Sequence, residues 1–152
     1  MKKTLIILIL MGMMFSSCSS SDGNAGEDKL QLIYSNFAGN WNVSKVIKAN
    51  GSQVDYVNLC STKKDYVTFY TYGKMEFFQY FSNCNPKTRS EHCINYYFND
   101  GYLENCNNFI DGKIVKLTAT ELIIDYQETR NFSYGENNMG TANGIVLTRE
   151  QN

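Results

Sequence analysis

The sequence predicts an all-β domain: an up-and-down antiparallel β-barrel of about eight strands, with a short N-terminal helical turn. Short runs of alternating apolar and polar residues recur along the chain, separated by glycine-containing turns. Aromatic residues make up 14% of the chain, with 11 tyrosines, and these residue types favour strands. Consecutive strands joined by tight turns form a meander, which removes its exposed edges by closing on itself.

Residues 1–18 have the features of a lipoprotein signal peptide. Lys2 and Lys3 are basic, and the apolar run that follows, Leu5–Phe15, is shorter than a membrane-spanning helix needs. The run leads into Ser16-Ser17-Cys18, which resembles the lipobox of bacterial lipoproteins, although Phe15 departs from its usual aliphatic residue. We expect cleavage before Cys18 and acylation of its thiol, which would anchor the protein to a lipid bilayer. Alternatively, the segment is an ordinary signal peptide that is cleaved nearby, which would leave Cys18 as an unpaired thiol.

Residues 19–33 are predicted to form a flexible tether, and residues 34–152 one folded domain. The stretch from Ser19 to Lys29 is small and polar, without the apolar periodicity of an ordered element. Without Lys2 and Lys3, 14 − 2 = 12 basic residues stand against 15 acidic ones, a charge of −3. Since there is no basic block or stripe, nucleic acid is not an expected partner.

The predicted strands follow one another at short spacing. The first, Trp41–Ala49, ends at the tight-turn pair Asn50-Gly51. Two alternating runs, Asp65–Thr71 and Lys74–Phe81, form a hairpin around Tyr72-Gly73. The other predicted strands are Ser52–Val57, two arms around Asn99-Asp100-Gly101, Lys113–Leu117, Glu121–Glu128 and Gly144–Glu150, with a polar linker over 129–143.

Four cysteines follow the signal sequence: Cys60, Cys84, Cys93 and Cys106. In an exported chain an even number indicates two disulfides. Three pairings are possible, and we favour Cys60–Cys84 with Cys93–Cys106 because each pair brackets a predicted turn. No two cysteines form a C-x-x-C motif, and His92 is the only histidine, so a metal site is not expected.

Gly39 and Trp41 fit the Gly-x-Trp motif that opens the first strand of lipocalins. In that family a late arginine packs over the tryptophan, and Arg149 is the matching candidate. With the lipobox-like start and the cysteines on either side of the Phe69–Gly73 hairpin, the chain resembles the lipocalin-like lipoprotein domains common in Bacteroidetes. The resemblance implies a barrel floor made of Gly39, Trp41 and Arg149. The plainer interpretation keeps Trp41 as an ordinary core aromatic and Arg149 as a surface residue.

No group of residues indicates catalysis. His92 and Cys93 are adjacent, and neighbouring residues on a strand point to opposite faces. The sequence has neither a Gly-x-Ser-x-Gly nucleophile elbow nor a Gly-rich phosphate loop. We therefore expect neither an enzyme activity nor a cofactor.

The resemblance implies a lipid-anchored protein of the bacterial cell envelope, periplasm-facing or surface-exposed, that binds a small apolar or amphipathic ligand in its barrel. Small-molecule sites combine apolar walls with a few polar groups, so the candidate lining consists of aromatic strand residues: Phe69, Phe77, Tyr96, Phe98 and Tyr126. Such aromatic residues can equally cover the outer face of a sheet. The alternative function is a protein-interaction or inhibitor module of the envelope, with a packed barrel and no internal ligand.

Overall fold

The structure, a computed structural model, describes residues 28–87, 95–105, 110–134 and 137–151. Within these ranges lie one short helix, α1 (Tyr34–Phe37), and nine strands: β1 (Gly39–Ile47), β2 (Gln53–Asp55), β3 (Tyr66–Phe69), β4 (Met75–Phe78), β5 (Tyr96–Asn99), β6 (Tyr102–Asn105), β7 (Gly112–Leu117), β8 (Glu121–Tyr134) and β9 (Asn137–Arg149). All described strand pairs are antiparallel. The prediction of an up-and-down β-barrel with a short helical turn at its start is confirmed.

The sheet curls into a nearly closed barrel with eight strand positions. Its order is β4-β3-β1-β9-β8-β7-β6-β5, and β2 pairs with the second half of β1, beyond the first residue of β3. The two outer strands meet at a bridge between Lys74 and Asn95, and the Tyr96 N–H donates to the Gly73 carbonyl at 2.7 Å. These contacts bring the two outer strands together beside the β3–β4 turn, and the barrel is nearly closed.

Glycines at three hairpin turns have the backbone conformation that the sequence predicts. Gly51, Gly73 and Gly101 have φ values of 79°, 80° and 82°. Only glycine adopts this left-handed region without a steric cost from a Cβ atom. The short spacing of the strands follows from these turns.

The last hairpin is longer than the sequence predicts. In place of a linker over 129–143, β8 continues to Tyr134 and β9 begins at Asn137. The ladder is interrupted by an irregularity between Asp125 and Arg130, after which Arg130 pairs with Ala142. Most side chains described beyond that point are exposed or half-buried. The segment therefore lacks the apolar alternation by which a half-buried strand is recognised.

The barrel interior is one apolar cluster. Burial alternates residue by residue along β3 and β4, so that Val67, Phe69, Met75 and Phe77 point inward. The largest member is Trp41, which has no solvent-accessible surface. This alternation is what a sheet with one face on a core produces.

Candidate functional site

One end of the barrel is covered by the chain that precedes β1. We call it the capped end, formed by residues 30–38 including α1. The Leu30 N–H donates to the Leu117 carbonyl at 2.8 Å, at the start of the β7–β8 turn. The Tyr34 ring lies next to Gly73 at the β3–β4 turn, where a Cβ atom added to Gly73 would be 3.5 Å from it. The capped end is thus fixed to two turns of the barrel.

Trp41 and Arg149 lie together at the capped end. They are direct partners in the β1–β9 ladder, and the guanidinium carbon is 4.2 Å from the centroid of the indole ring. The indole Nε1–H donates to the Phe37 carbonyl at 2.7 Å, so the buried ring has its polar atom satisfied. The structure brings these predicted floor residues into contact, as a cation stacked on an aromatic face.

The guanidinium of Arg149 also holds the C-terminal end of α1. Its Nη1 donates to the Ala38 carbonyl at 2.6 Å, and its Nη2 donates to the Asn36 carbonyl. Burial lowers the pKa of this guanidinium. Gly39, with φ of 120°, lies against it, since an added Cβ atom would be 3.4 Å from Nη1. Gly39, Trp41 and Arg149 therefore form one packed unit.

Three of the candidate ligand-lining residues, Phe69, Tyr96 and Phe98, pack against one another and against α1. The Phe69 and Tyr96 ring centroids are 5.1 Å apart, and Phe37 lies 5.6 Å from Phe69 and 4.6 Å from Phe98. The Tyr96 hydroxyl donates to the Tyr70 carbonyl at 3.1 Å. Burial raises the pKa of the Tyr96 hydroxyl. These rings fill the space beneath α1.

The other two candidates, Phe77 and Tyr126, are 8% and 5% exposed. The guanidinium carbon of Arg130 lies 4.6 Å from the centroid of the Tyr126 ring and covers it. Further buried side chains in the core have no solvent-accessible surface, among them Leu103, Ile110, Leu122, Ile124 and Ile145. Side chains that lined a cavity large enough for water would keep some solvent-accessible surface. The part of the interior that these five side chains surround is therefore filled, as an eight-stranded barrel allows, whereas Phe77 and Tyr126 keep a small accessible area.

A disulfide joins Cys60 to Cys84, as predicted, with Cα atoms 4.9 Å apart. It ties the loop over residues 56–65, between β2 and β3, to the segment that follows β4. Cys93 and Cys106, the second predicted pair, lie outside the described residues, as does Cys18. The disulfide therefore restricts the movement of this loop relative to that segment.

Asp65 anchors the same loop from within. Its carboxylate is buried and accepts from the Tyr56 hydroxyl at 2.6 Å, the Tyr80 N–H at 3.0 Å and the Gln79 amide at 3.5 Å. Its own N–H donates to the Asn58 side chain at 2.7 Å. The sequence does not indicate this role, because nothing near Asp65 in the chain shows that the loop folds over it.

A cleft of about 580 Å³ lies between this loop and the outer face of the sheet, and we call it the loop–sheet cleft. Its floor includes Thr148, Asn42 and Tyr66, which are register partners across β9, β1 and β3. Lys63, Lys64 and Tyr80 form the wall on the loop side. This site was not predicted, because its two sides come from a loop and three separate strands.

Two tyrosine rings and two lysines line the loop–sheet cleft. Tyr66 stacks on Phe78, with centroids 4.6 Å apart and planes 15° apart. The Lys63 ammonium donates to the Cys84 carbonyl at 3.1 Å and lies 4.9 Å from the centroid of the Tyr80 ring. Lys64 is exposed and has no ionic partner among the described residues. The cleft thus combines aromatic faces with a cation that is free to bind.

A second exposed surface, which we call the tyrosine face, is formed by Tyr70, Tyr72 and Tyr97. Tyr72 is 70% and Tyr97 is 54% exposed, and the Tyr70 and Tyr72 rings stack with centroids 5.4 Å apart. The hydrogen bond between Tyr96 and Gly73 places β5 beside the β3–β4 turn, so Tyr72 and Tyr97 lie on adjoining backbone segments.

Carboxylates hold two of these tyrosines. The Tyr70 hydroxyl donates to Glu76 at 2.9 Å, and Glu76 also pairs with Lys74 at 2.9 Å. Burial and this hydrogen bond raise the pKa of Tyr70, and a hydrogen bond to Glu104 raises the pKa of Tyr97. The tyrosine face is therefore both exposed and ordered.

Comparison with known protein families, with curated proteins and with solved structures finds no match for this chain. In the part of the chain that the structure describes, no three His, Cys, Asp or Glu side chains are grouped so that they could hold a metal ion. Across the same residues, no helix is both long and apolar enough to cross a membrane.

Proposed function

We propose that the protein is a lipid-anchored binding module of the bacterial cell envelope, with a packed lipocalin-like barrel whose tyrosine face binds a protein partner. Acylated Cys18 would supply the anchor. The barrel acts as a rigid scaffold, and binding involves no covalent step.

The packed interior is the observation that carries this proposal. Phe69, Tyr96 and Phe98 contact one another and Phe37, so an apolar ligand would have to separate rings that already fill the space. Small-molecule sites have volumes of about 300–1,000 Å³ and are largely formed before the ligand arrives. The described interior favours the interaction module over a carrier of an apolar ligand.

The tyrosine face supports the choice of a protein partner. Tyrosine is enriched at protein interfaces because its ring buries a large area while its hydroxyl remains satisfied. Stacking on Tyr72 and the hydrogen bond to Glu76 already order Tyr70. Less side-chain entropy is then lost on binding, which raises affinity.

Site-specific crosslinking in cells tests the partner. A photoreactive phenylalanine derivative replaces Tyr72 in the full chain, and the same residue replaces Val115, which is also exposed at 52%, as a control. We expect a discrete protein adduct from position 72 that is lost when Tyr97→Ala is added, and none from position 115. Equal adducts at both positions, or none at either, would show that the tyrosine face is not an interface.

Native mass spectrometry tests the interior. The full chain, purified from membranes and then mixed with a lipid extract, should carry only the covalent anchor mass. A stoichiometric apolar ligand in the barrel would overturn the packed-barrel proposal. Labelling with a fatty acid should mark the wild type and not Cys18→Ala, whereas an unlabelled wild type would indicate an ordinary signal peptide.

A further inference from the structure

We propose that the loop–sheet cleft binds a small sugar that carries an anionic group, a carboxylate or a phosphate. This site lies on the outer face of β9, β1 and β3, and the proposal does not depend on the tyrosine face. Its volume of about 580 Å³ is within the range of small-molecule sites, about 300–1,000 Å³.

The floor of the cleft suits hydroxyl groups. The Asn42 amide and the Thr148 hydroxyl lie side by side on the outer face, because their residues are register partners between β1 and β9. An amide offers two donors and an acceptor, and a hydroxyl offers one donor and two lone pairs. Neighbouring hydroxyls of a sugar present the same mixture of donors and acceptors.

The rings suit the apolar face of a sugar. Tyr66, a register neighbour of Asn42, is held flat by its stacking on Phe78. Tyr80 stands on the loop side of the same cleft. The face of an aromatic ring carries negative charge, and the polarised C–H groups of a pyranose pack against such a face. The cleft therefore offers a platform for the ring and polar groups for its edge.

The lysines determine the charge of the ligand. Lys64 has no described ionic partner, and the neighbouring Lys63 is held by the Cys84 carbonyl. A carboxylate or phosphate at this wall would form charge-assisted hydrogen bonds. Glu150, on the opposite side, accepts from Asn40 at 3.0 Å and repels a second anion. The ligand should therefore bind with its anionic group at the lysines and its hydroxyls toward Glu150.

The loop that carries the lysines is fixed before any ligand binds. The Cys60–Cys84 disulfide holds its middle, and the buried carboxylate of Asp65 holds its end, next to Lys64. Binding therefore needs little ordering of the protein, and such preorganisation raises affinity. This separates the cleft from an incidental gap between mobile segments.

Isothermal titration of the full chain with four probes tests the proposal. The probes are glucuronate, glucose 6-phosphate, glucose and inorganic phosphate, so that the sugar and the charge are varied independently. We expect at least one of the two anionic sugars to bind about tenfold more tightly than both glucose and phosphate. Lys64→Gln should weaken that binding about fivefold, whereas Lys113→Gln, at an exposed lysine on β7, should leave it unchanged.

Two results would overturn the proposal. Phosphate binding as tightly as the anionic sugars would make the cleft a simple anion site, and unchanged affinity in Lys64→Gln would place any binding elsewhere. Thermal unfolding of each variant shows whether the fold is intact. Crosslinking at Tyr72 is a separate readout, so a failure of the tyrosine face and a failure of the cleft are distinguishable.

Discussion

Arg149 faces Trp41 directly across the β1–β9 ladder, and its guanidinium covers the indole while it donates to the backbone carbonyls of Asn36 and Ala38 at the C-terminal end of α1. One side chain thus connects the last strand, the first strand and the helical turn. The Nε atom of the same guanidinium is buried and has no described hydrogen-bond partner. Arg149 therefore stabilises the fold through its two Nη atoms and through the stacking of its guanidinium on the indole.

Arg149→Lys should lower the free energy of unfolding by about 1–3 kcal/mol, because an ammonium cannot serve two carbonyls and stack on the indole in the same way. Denaturant unfolding followed by Trp41 fluorescence measures the change. Lys113→Gln, at an exposed position, should stay within about 0.5 kcal/mol. If Trp41 in the folded wild type is freely quenched by acrylamide, the buried stack is wrong.

Asp65→Ala should lower the free energy of unfolding by about 2–3 kcal/mol, because the buried Tyr56 hydroxyl and Tyr80 N–H lose their acceptor. Asp65→Asn retains one acceptor oxygen and should lose less. Tyr56→Phe, which removes a single hydrogen bond, should lose about 1 kcal/mol. Urea unfolding of the three variants measures this order, and equal losses would contradict the role of Asp65 as a shared acceptor.

Removing the disulfide with Cys60→Ala and Cys84→Gly should lower stability by up to about 3.5 kcal/mol. The two cysteines are 24 positions apart, and the estimate is the chain entropy of a loop of that size. Glycine suits position 84 because Cys84 has φ of 62°.

Thermal unfolding under oxidising conditions measures the effect of losing the disulfide. Any other disulfide in the chain is common to both proteins, so the difference between wild type and variant isolates this bond. Equal melting temperatures would show that it does not constrain the chain.

Gly112→Ala should be more damaging than Gly51→Ala. A Cβ atom at position 112 would be 2.4 Å from the carbonyl oxygen of Asp125, so β7 and β8 would have to separate. We expect a loss above about 2 kcal/mol. At Gly51 nothing lies within 4 Å, and only its φ of 79° is unfavourable, at about 1 kcal/mol. The melting temperatures of the two variants test this order. A lower melting temperature for Gly51→Ala than for Gly112→Ala would show that the tight contact does not lie at Gly112.

Tyr96 should make the protein sensitive to alkaline pH. Burial, followed by the nearby Tyr34 hydroxyl, raises the pKa of Tyr96 above its usual value of about 10. The folded state then holds this proton after the unfolded chain has released it. The contribution of the protonated Tyr96 hydroxyl to stability is fully present below pH 10 and decreases as the pH rises further.

The stability difference between wild type and Tyr96→Phe should therefore shrink above pH 10. Guanidinium unfolding at pH 8, 10 and 11 measures it, with Tyr72→Phe as a control for the same change at an exposed tyrosine. A difference that is constant with pH would contradict the effect of burial.

The sequence predicts the parts of this fold that local rules determine. Alternation in β3 and β4 identifies the inward residues of these strands. Gly51, Gly73 and Gly101 mark the β1–β2, β3–β4 and β5–β6 turns through a backbone conformation that only glycine adopts freely. The turn between Cys60 and Cys84 predicts their pairing, and the structure confirms it.

The candidate sites could not be predicted in the same way. Alternation shows that Phe69 points inward, but not how far it lies from the opposite wall, so packing and ligand lining have the same pattern. The loop–sheet cleft depends on Asp65 and on a loop that folds back over the sheet. Residues such as Lys64 and Thr148 are far apart in sequence, and no periodicity connects them.

The pairing of β1 with β9 has a consequence for how the chain folds. Arg149 and its acceptor Ala38 are 111 residues apart in sequence, so the barrel cannot close until its final strand has been synthesised. Most strands of the meander pair with their neighbours in sequence. The pairing of β1 with β9 joins residues far apart in sequence, and such non-local contacts make folding slow. Until β9 has been synthesised, one edge of β1 is unpaired, and a strand of another chain can add to it. The nascent chain therefore depends on β9 for protection from aggregation.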